Sequence, residues 1–348
     1  MIKPTTLNEL FLSPDGLIIL DVRTPAEYNH GHIPKALNLP LFSNEERIVV
    51  GTTYKKESRE AAILKGFEIV GPKWAGFITQ ALTIAPKKKV VLHCWRGGMR
   101  SEAMAWALDI YGFDVYVIKG GYKAFRRWTY EQFEKKYNLH VVGGMTGSGK
   151  TKALHELAKM GEQVVDLEEL AQHKGSAYGT MNKLIQPTQE QFENNLAFQL
   201  SMLNAEKITW IEDENRSIGR RQIPAAFWRQ TEYSPLFDIR VPVEYRINQL
   251  VNEYCSLDKN FLIESTERIR KRLGPLNFKN AIEAINEDRF ADFIKLVLLY
   301  YDKAYRAALT NKAKELVAPV IVEQPEPLTI AEKLKEMSKA FNHKNIHV

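Results

Sequence analysis

Two short stretches of this chain carry residue types whose spacing could do chemistry. The first is His93-Cys94-Trp95-Arg96-Gly97-Gly98-Met99-Arg100-Ser101. It follows an apolar run and precedes a helical pattern. Loop N–H groups can therefore converge on the cysteine, and the next helix adds its positive end. Both effects favour thiolate over thiol, and Arg96 and Arg100 would add positive charge. Gly97 and Gly98 allow backbone conformations that residues with a Cβ resist. The expectation is a catalytic Cys94 inside an anion-binding loop of Trp95, Arg96, Gly97, Gly98, Met99 and Arg100. The plainer alternative is an inert strand-end cysteine, because Cys often packs as a small hydrophobe.

The second stretch, Gly144-Met145-Thr146-Gly147-Ser148-Gly149-Lys150-Thr151, matches G-x4-G-K-[ST] with an apolar strand before it and a helix after it. The N–H groups of such a loop point at phosphate oxygens. Lys150 neutralises their charge, and Thr151 is placed to ligate a Mg²⁺ ion. A diphosphate ester fits this cradle as well as ATP does, so the ligand stays open. Enzymes with such a loop hold Mg²⁺ with an acid after a second apolar strand, and Glu212 or Asp213 in Ile208–Glu214 meets that description. Asp166, after Val164-Val165, stands where a substrate-facing acid often sits. Each acid could equally be a solvated strand end. Two further segments complete the second-site candidates: His173-Lys174-Gly175-Ser176-Ala177-Tyr178-Gly179 and Arg216-Ser217-Ile218-Gly219-Arg220-Arg221. The guanidiniums of Arg216, Arg220 and Arg221 suit phosphate or an RNA backbone, against the alternative of a solvated turn.

These residues need two α/β frameworks to hold them. Gly16–Val22 and Lys89–His93 read as buried parallel strands, with Val115–Ile118 a further one. Ser101–Tyr111 reads as a helix with Met104, Ala107, Leu108 and Tyr111 on one face. Phe125–Asn138 is polar and helix-like, and is taken as a connector. A second unit opens with strand Leu139–Gly143, helix Lys150–Met160 and strand Gln163–Leu167. An amphipathic helix follows around Thr188–Glu206, with Phe192, Leu196, Leu200 and Leu203 on one face, then strand Lys207–Ile211. From Val243 the chain reads as almost entirely helical, fraying after Ala340. The expected boundaries are 1–128 for the first α/β domain and 129–138 for the connector. The core of the second α/β domain is 139–240, with a helical region, 241–348, packed on it.

The 348 residues, 45% hydrophobic and 26% charged, supply cores for about two domains. No run approaches the ~18–20 apolar residues of a spanning helix, so an integral membrane protein is not expected. The N-terminus lacks the apolar core of a secretory signal. Two cysteines, Cys94 and Cys255, supply neither a disulfide framework nor a four-thiolate zinc site. A reduced, cytoplasmic chain is expected. Cys255 shares an apolar helical stripe with Ile247 and Val251 and is expected in the core. The net charge of +6 resides in residues 1–138, with 20 Lys/Arg against 14 Asp/Glu. That excess is too modest to establish a polyanionic partner. The runs Arg268-Ile269-Arg270-Lys271-Arg272 and Lys87-Lys88-Lys89 read as solvated faces before RNA contacts. Trp95 could stack a splayed base or wall a pocket.

Asp21-Val22-Arg23-Thr24-Pro25-Ala26-Glu27-Tyr28, followed by Gly31-His32-Ile33-Pro34-Lys35-Ala36-Leu37-Asn38, closely resembles the N-terminal signature of the rhodanese family, over roughly residues 5–128. Rhodanese domains carry sulfur or selenium on a loop cysteine placed as Cys94 is. The resemblance implies that Asp21 and Arg23 organise the loop and that His32 supports a turn. Adding CWRGGMRS, GGMTGSGKT, DLEELAQHKGSAYG and IEDENRSIG, the chain resembles the tRNA 2-selenouridine synthase family across a rhodanese-like α/β domain and a P-loop NTPase-like α/β domain with a helical C-terminal region.

That resemblance implies two linked reactions on 2-thiouridine at the tRNA wobble position. Geranyl diphosphate alkylates the sulfur, then selenium from selenophosphate replaces the S-geranyl group. Cys94 would accept or relay selenium, and Gly144–Thr151 would cradle the diphosphate. The implied partners are the tRNA anticodon region and, transiently, the protein that supplies selenophosphate, with no membrane. Whether ATP enters the phosphate loop stays open. Three rivals remain. One is a small-molecule kinase with a rhodanese domain. Another is an ATP-dependent tRNA sulfurtransferase, for which Cys255 is poorly placed as a resolving thiol. The last is a non-enzymatic RNA-binding module, against which intact Cys94 and Lys150 argue.

Overall fold

A computed structural model describes residues 2–12, 17–181 and 183–345. It resolves two compact units, one up to Gln132 that also takes in Glu193–Phe198, the other Phe133–Phe192 with Gln199 onward. In the first, β1 (Lys3–Thr5), β2 (Ile18–Asp21), β3 (Leu37–Asn38), β4 (Lys89–His93) and β5 (Asp114–Ile118) form a parallel sheet ordered β1-β5-β4-β2-β3. Gly16, where the first strand was expected to open, lies outside the described residues. Central β4 has Val90, Val91 and Leu92 fully buried, as a strand covered on both faces requires. Its C-terminal end delivers Cys94. The helix Met99–Ile110 buries Met104, Ala107 and Leu108, but Tyr111 is exposed. The helix ends there, and Phe113, whose N–H donates to the Leu108 carbonyl, takes the buried place.

The stretch expected as a polar connector is largely the helix Gly121–Glu134. Tyr122, Phe125, Thr129 and Gln132 recur at helical spacing and are buried. The charged residues between them gave the segment its polar appearance.

The second unit contains β6 (Leu139–Gly144), β7 (Gln163–Val165), β8 (Thr209–Glu212), the short ribbon β9 (Ser217–Ile218) and β10 (Arg221–Gln222), β11 (Leu236–Arg240) and β12 (Val317–Ile321). Its main sheet is parallel and ordered β12-β11-β6-β8-β7, so β6, which leads into the phosphate loop, is central. β7 stops at Val165 because Asp166 caps the next helix. Helix Gln189–Ser201, capped by Thr188, buries Phe192, Leu196 and Leu200, while Leu203 falls beyond its end. The region after Val243 is not purely helical. β12 adds an edge strand beside β11, burying Ala318 and Val320 on one face. An edge position tolerates Pro319, and that proline hid the strand in the sequence. The last helix, Pro327–Asn345, continues past Ala340 rather than fraying there, and residues 346–348 lie outside the described part.

Helices Val243–Tyr254, Lys259–Arg268, Pro275–Asn286 and Phe290–Thr310 share an apolar core that includes Leu250, Leu262, Ile285 and Phe293. Cys255 is not part of it: the thiol is exposed at the helix C-cap. Positions 247, 251 and 255 drift by about 80° over eight residues of a 3.6-residue helix. The buried face follows Arg246, Leu250 and Tyr254 instead. Among the described residues no helix is long and apolar enough to cross a membrane.

Candidate functional site

Cys94 is 4% exposed at the head of the helix Met99–Ile110, whose N-cap, Gly98, offers no side-chain cap. The first N–H groups of that helix are thus not claimed by a side-chain cap, and they suit an anion or the thiolate itself. The Ser101 hydroxyl lies 3.3 Å from Cys94 Sγ and 2.9 Å from the Gly98 carbonyl oxygen, and its single proton can serve either acceptor. Burial pushes the thiol up. Hydrogen bonds from the Ser101 hydroxyl and the Ser101 and Arg96 N–H groups, with the Arg100 charge, outweigh it, and the net pKa falls below that of an ordinary thiol. The loop is held backbone to backbone by the next helix. The N–H groups of Tyr122 and Lys123 donate to the carbonyls of Cys94 and Trp95, both at 2.9 Å. Gly97 is the indispensable glycine: φ is +69°, and a Cβ would lie 2.6 Å from the Ile118 carbonyl oxygen. Gly98, expected to share that need, has φ −113° and open space around it.

The two loop arginines part company. Arg96 is exposed, whereas Arg100 is bound by Glu27 at 2.7 and 3.2 Å. Glu27 itself closes the capping box of helix Pro25–His30. Trp95 is 40% exposed at the rim, with Met99 also exposed. Beneath the loop, Arg23 and Asp21 form a fully buried ion pair at 2.6 Å. Arg23 also donates to the Gly31 carbonyl at 2.7 Å, and Asn38 ties together the carbonyls of Asp21 and Arg23. This pair organises the signature segment and touches no exposed surface. His93, equally buried, is pushed down to about 4 chiefly by desolvation, so it is neutral near pH 7. His32 stacks on Tyr28 and bonds its carbonyl at 3.0 Å, a turn partner rather than a base.

In the second unit β6 runs into the loop Gly144–Thr151. Gly147 has φ +81°, and a Cβ there would meet the Arg246 carbonyl oxygen at 2.9 Å. Lys150 opens the helix Lys150–Lys159, and its ammonium donates to the Gly144 carbonyl at 2.9 Å, folding back over the loop. Met145, Thr146, Ser148 and Gly149 complete the turn, with the Ser148 N–H donating to the Met145 carbonyl. The Ser148 hydroxyl is buried without a partner among the described residues. Arg246, which sequence reasoning missed, braces the loop from helix Val243–Tyr254. It donates to the Thr146 carbonyl at 2.9 Å and is ion-paired with Asp302 at 3.0 Å.

Thr151 Oγ1 lies 2.6 Å from Glu212 Oε1 and 3.3 Å from Glu168 Oε2. Of the two strand-end acids, Glu212 is thus the one beside the loop. Asp213 points elsewhere because successive side chains on an extended strand alternate. Alternation instead returns Glu214 to the side of Glu212, and Glu168, Glu212 and Glu214 form one cluster. Desolvation pushes all three upward, Glu214 to about 8; repulsion from Glu168 adds to it at Glu212 and Glu214, and repulsion from Asp166 adds to it at Glu168 against the pull of Lys150. Neither Glu168 nor Glu214 was singled out in the sequence. An all-oxygen set of three carboxylates and the Thr151 hydroxyl fits a hard divalent cation such as Mg²⁺.

Comparison with known proteins bears on both units. A profile described as the tRNA 2-selenouridine synthase AAA domain matches residues 137–325, and one described as a rhodanese-like domain matches residues 4–127. The chain is 33% identical to the tRNA 2-selenouridine synthase of Shewanella sediminis, over 91% of this chain and 94% of that protein. This chain belongs to the tRNA 2-selenouridine synthase family. Other relatives of the same name come from Nitrosomonas eutropha, 35% identical over 89% of this chain and 78% of that protein, and from Bdellovibrio bacteriovorus, 38% identical over 73% and 68%.

In this tRNA 2-selenouridine synthase family member, other predicted residues are placed less simply. Asp166 has both oxygens engaged, one capping the Glu169 N–H at 2.8 Å and one 2.8 Å from His155 Nε2. It serves its own helix rather than standing free as an acid. His173 is buried, its backbone N–H donating to the Glu168 carbonyl. Gly175 lies against the cluster. Ser176 accepts from the Tyr178 N–H, and the Tyr178 hydroxyl bonds Thr266, pinning the loop to the helical region. Lys174, Arg216 and Arg220 are exposed, Arg216 just before β9 and Arg220 in the turn that joins β9 to β10. Of the basic runs, Arg272 bonds Tyr300, Arg270 pairs with Glu267, and Ile269 is core.

Proposed function

We propose that this chain converts 2-thiouridine at the tRNA wobble position into 2-selenouridine through an S-geranylated intermediate. In the first step the thiouridine sulfur attacks C1 of geranyl diphosphate. The C–S bond forms as the C–O bond breaks, and diphosphate departs. The glycine-rich loop Gly144–Thr151 at the head of a helix and the Lys150 ammonium suit that departing charge. A Mg²⁺ ion, when bound, adds further neutralisation, and Thr151 and Glu212 are the residues to hold it. In this reading the loop takes geranyl diphosphate rather than ATP.

In the second step selenophosphate, held in the Cys94 loop, attacks C2 of the base through its selenium: the C–Se bond forms as the C–S bond breaks and geranylthiol leaves, and water then cleaves the Se–P bond to release phosphate. Alkylation beforehand makes that sulfur a better leaving group. The observation that carries the proposal is the Cys94 cradle, where a thiol held low sits at the uncapped N-terminus of a helix with Arg96 exposed beside it. Met99 and Arg100 at its edge also line a cavity of about 810 Å³, walled by Phe42, Ile63, Phe67 and Trp74 with Arg47 and Arg59 on its lining. An S-geranyl chain tethered to RNA matches that mixture of apolar wall and cationic groups. Tested directly, purified protein is given 2-thiouridine tRNA with geranyl diphosphate, then selenophosphate, with nucleoside mass analysis after each addition. The S-geranyl mass must appear first and be consumed second. Selenium incorporation without geranyl diphosphate rejects the sequence of steps.

A further inference from the structure

The roles assigned so far bring Mg²⁺ to the phosphate loop as the companion of a diphosphate. The acidic cluster beside the loop points to more. Glu212 ends β8, Glu214 follows two residues later on the same side, and Glu168 comes from the helix Leu167–Ala171. Each offers a carboxylate oxygen, and the three lie within 4.8 Å of one another. Oxygens bound to one Mg²⁺, Mn²⁺ or Ca²⁺ ion lie roughly 3 to 5 Å apart, given bonds of about 2.0–2.6 Å. Glu212 is 1% exposed; one of its oxygens faces the Thr151 hydroxyl and the other, Oε2, is buried with no partner among the described residues. A buried carboxylate oxygen left in that state is costly unless something binds it.

No Lys, Arg or His forms an ion pair with any of the three among the described residues. The nearby Lys150 is turned to the Gly144 carbonyl instead. The backbone at Gly175 closes one side, since a Cβ there would lie 2.9 Å from Glu168 Oε1 and from both Glu214 oxygens. The donors are all hard oxygens, with neither thiolate nor imidazole among them, which selects Mg²⁺, Mn²⁺ or Ca²⁺ over Zn²⁺ or Cu²⁺.

We infer that Glu168, Glu212 and Glu214, with the Thr151 hydroxyl, form a divalent-cation site that fills without any phosphate ligand. The usual arrangement brings the ion in on a phosphate and holds it to one acid through water. Here three direct carboxylates supply the affinity, and the ion is resident before the substrate arrives. The inference does not depend on which phosphate ester the loop accepts.

The test is titration of the full chain with MnCl₂, followed by Mn²⁺ paramagnetic resonance and calorimetry in phosphate-free buffer, with MgCl₂ as competitor. One Mn²⁺ per chain should bind and be displaced by Mg²⁺. Glu214→Gln and, as a second variant, Glu168→Gln should each weaken binding by about tenfold or more, while Cys94→Ser leaves it unchanged. Thermal melting provides a reading independent of activity: Mn²⁺ should raise the midpoint of the wild-type chain and leave that of Glu214→Gln unmoved. Binding of Mn²⁺ only after inorganic diphosphate is added would overturn the inference. So would wild-type affinity in both glutamine variants.

Discussion

The two cradles of this chain are built on the same backbone plan and differ in what surrounds them. Each lies where a central parallel strand, β4 or β6, ends and a helix begins, with glycine-shaped turns exposing N–H groups. Backbone geometry alone thus gives each an affinity for anions. At Cys94 the added side chains are a thiol, the Ser101 hydroxyl and two arginines, one of them balanced by Glu27. At Lys150 they are one ammonium and three carboxylates. In the proposed chemistry the first cradle therefore keeps a reactive anion of its own, and the second holds a cation beside a guest anion. The difference teaches that the fold sets where charge is bound, whereas the neighbouring side chains decide whether the bound group reacts or departs.

The comparison breaks most visibly at Lys150. Lys150→Ala should lower S-geranylation at least a hundredfold, as loss of a charge partner for a leaving group does, while leaving Cys94 alkylation by iodoacetamide unchanged. Unchanged geranylation would detach the loop from alkylation. Next in size is Arg246→Ala, which breaks a buried ion pair and strands Asp302. A loss of about 3 kcal/mol is expected, measured by denaturant unfolding, with the Cys94 cradle still reactive. A change below ~1 kcal/mol would mean that the phosphate loop does not rely on that brace.

The smallest effect sharpens the contrast on the thiol side. With its pKa lowered, Cys94 should stay reactive as pH falls below the ~8.5 of a free thiol, because the thiolate persists there. Ser101→Ala removes a hydrogen bond to that thiolate, so the inflection of the iodoacetamide rate should move up by up to about one pH unit. The rate at pH 7 should fall several-fold. An inflection that stays in place would assign the lowered pKa to the helix N–H groups and Arg100 alone.

What could be read in the sequence was what is contiguous in it. Cys94–Ser101 and Gly144–Thr151 each build a cradle from one unbroken segment, so residue type and spacing sufficed. Glu168, Glu214 and Arg246 reach the second cradle from separate elements, and no local pattern announces them. Glu214 was nevertheless within reach, because strand alternation from Glu212 puts it on the same side and sends Asp213 away. The misread elements have equally local causes. Pro319 concealed β12 as an edge strand. Helical drift carried Cys255 off the buried stripe. Charged residues masked the buried face of the helix Gly121–Glu134, and the end of the helix at Ile110 left Tyr111 on the surface. Arg100 looked like a free cation because its partner, Glu27, is distant in sequence.

The division of labour between the cradles is tested most directly by nucleoside mass analysis of tRNA from cells whose only copy of this protein is Cys94→Ala. Selenation should stop while alkylation continues, so S-geranyl-2-thiouridine should accumulate and 2-selenouridine should be absent. Normal levels of 2-selenouridine would contradict the assignment of selenium to Cys94.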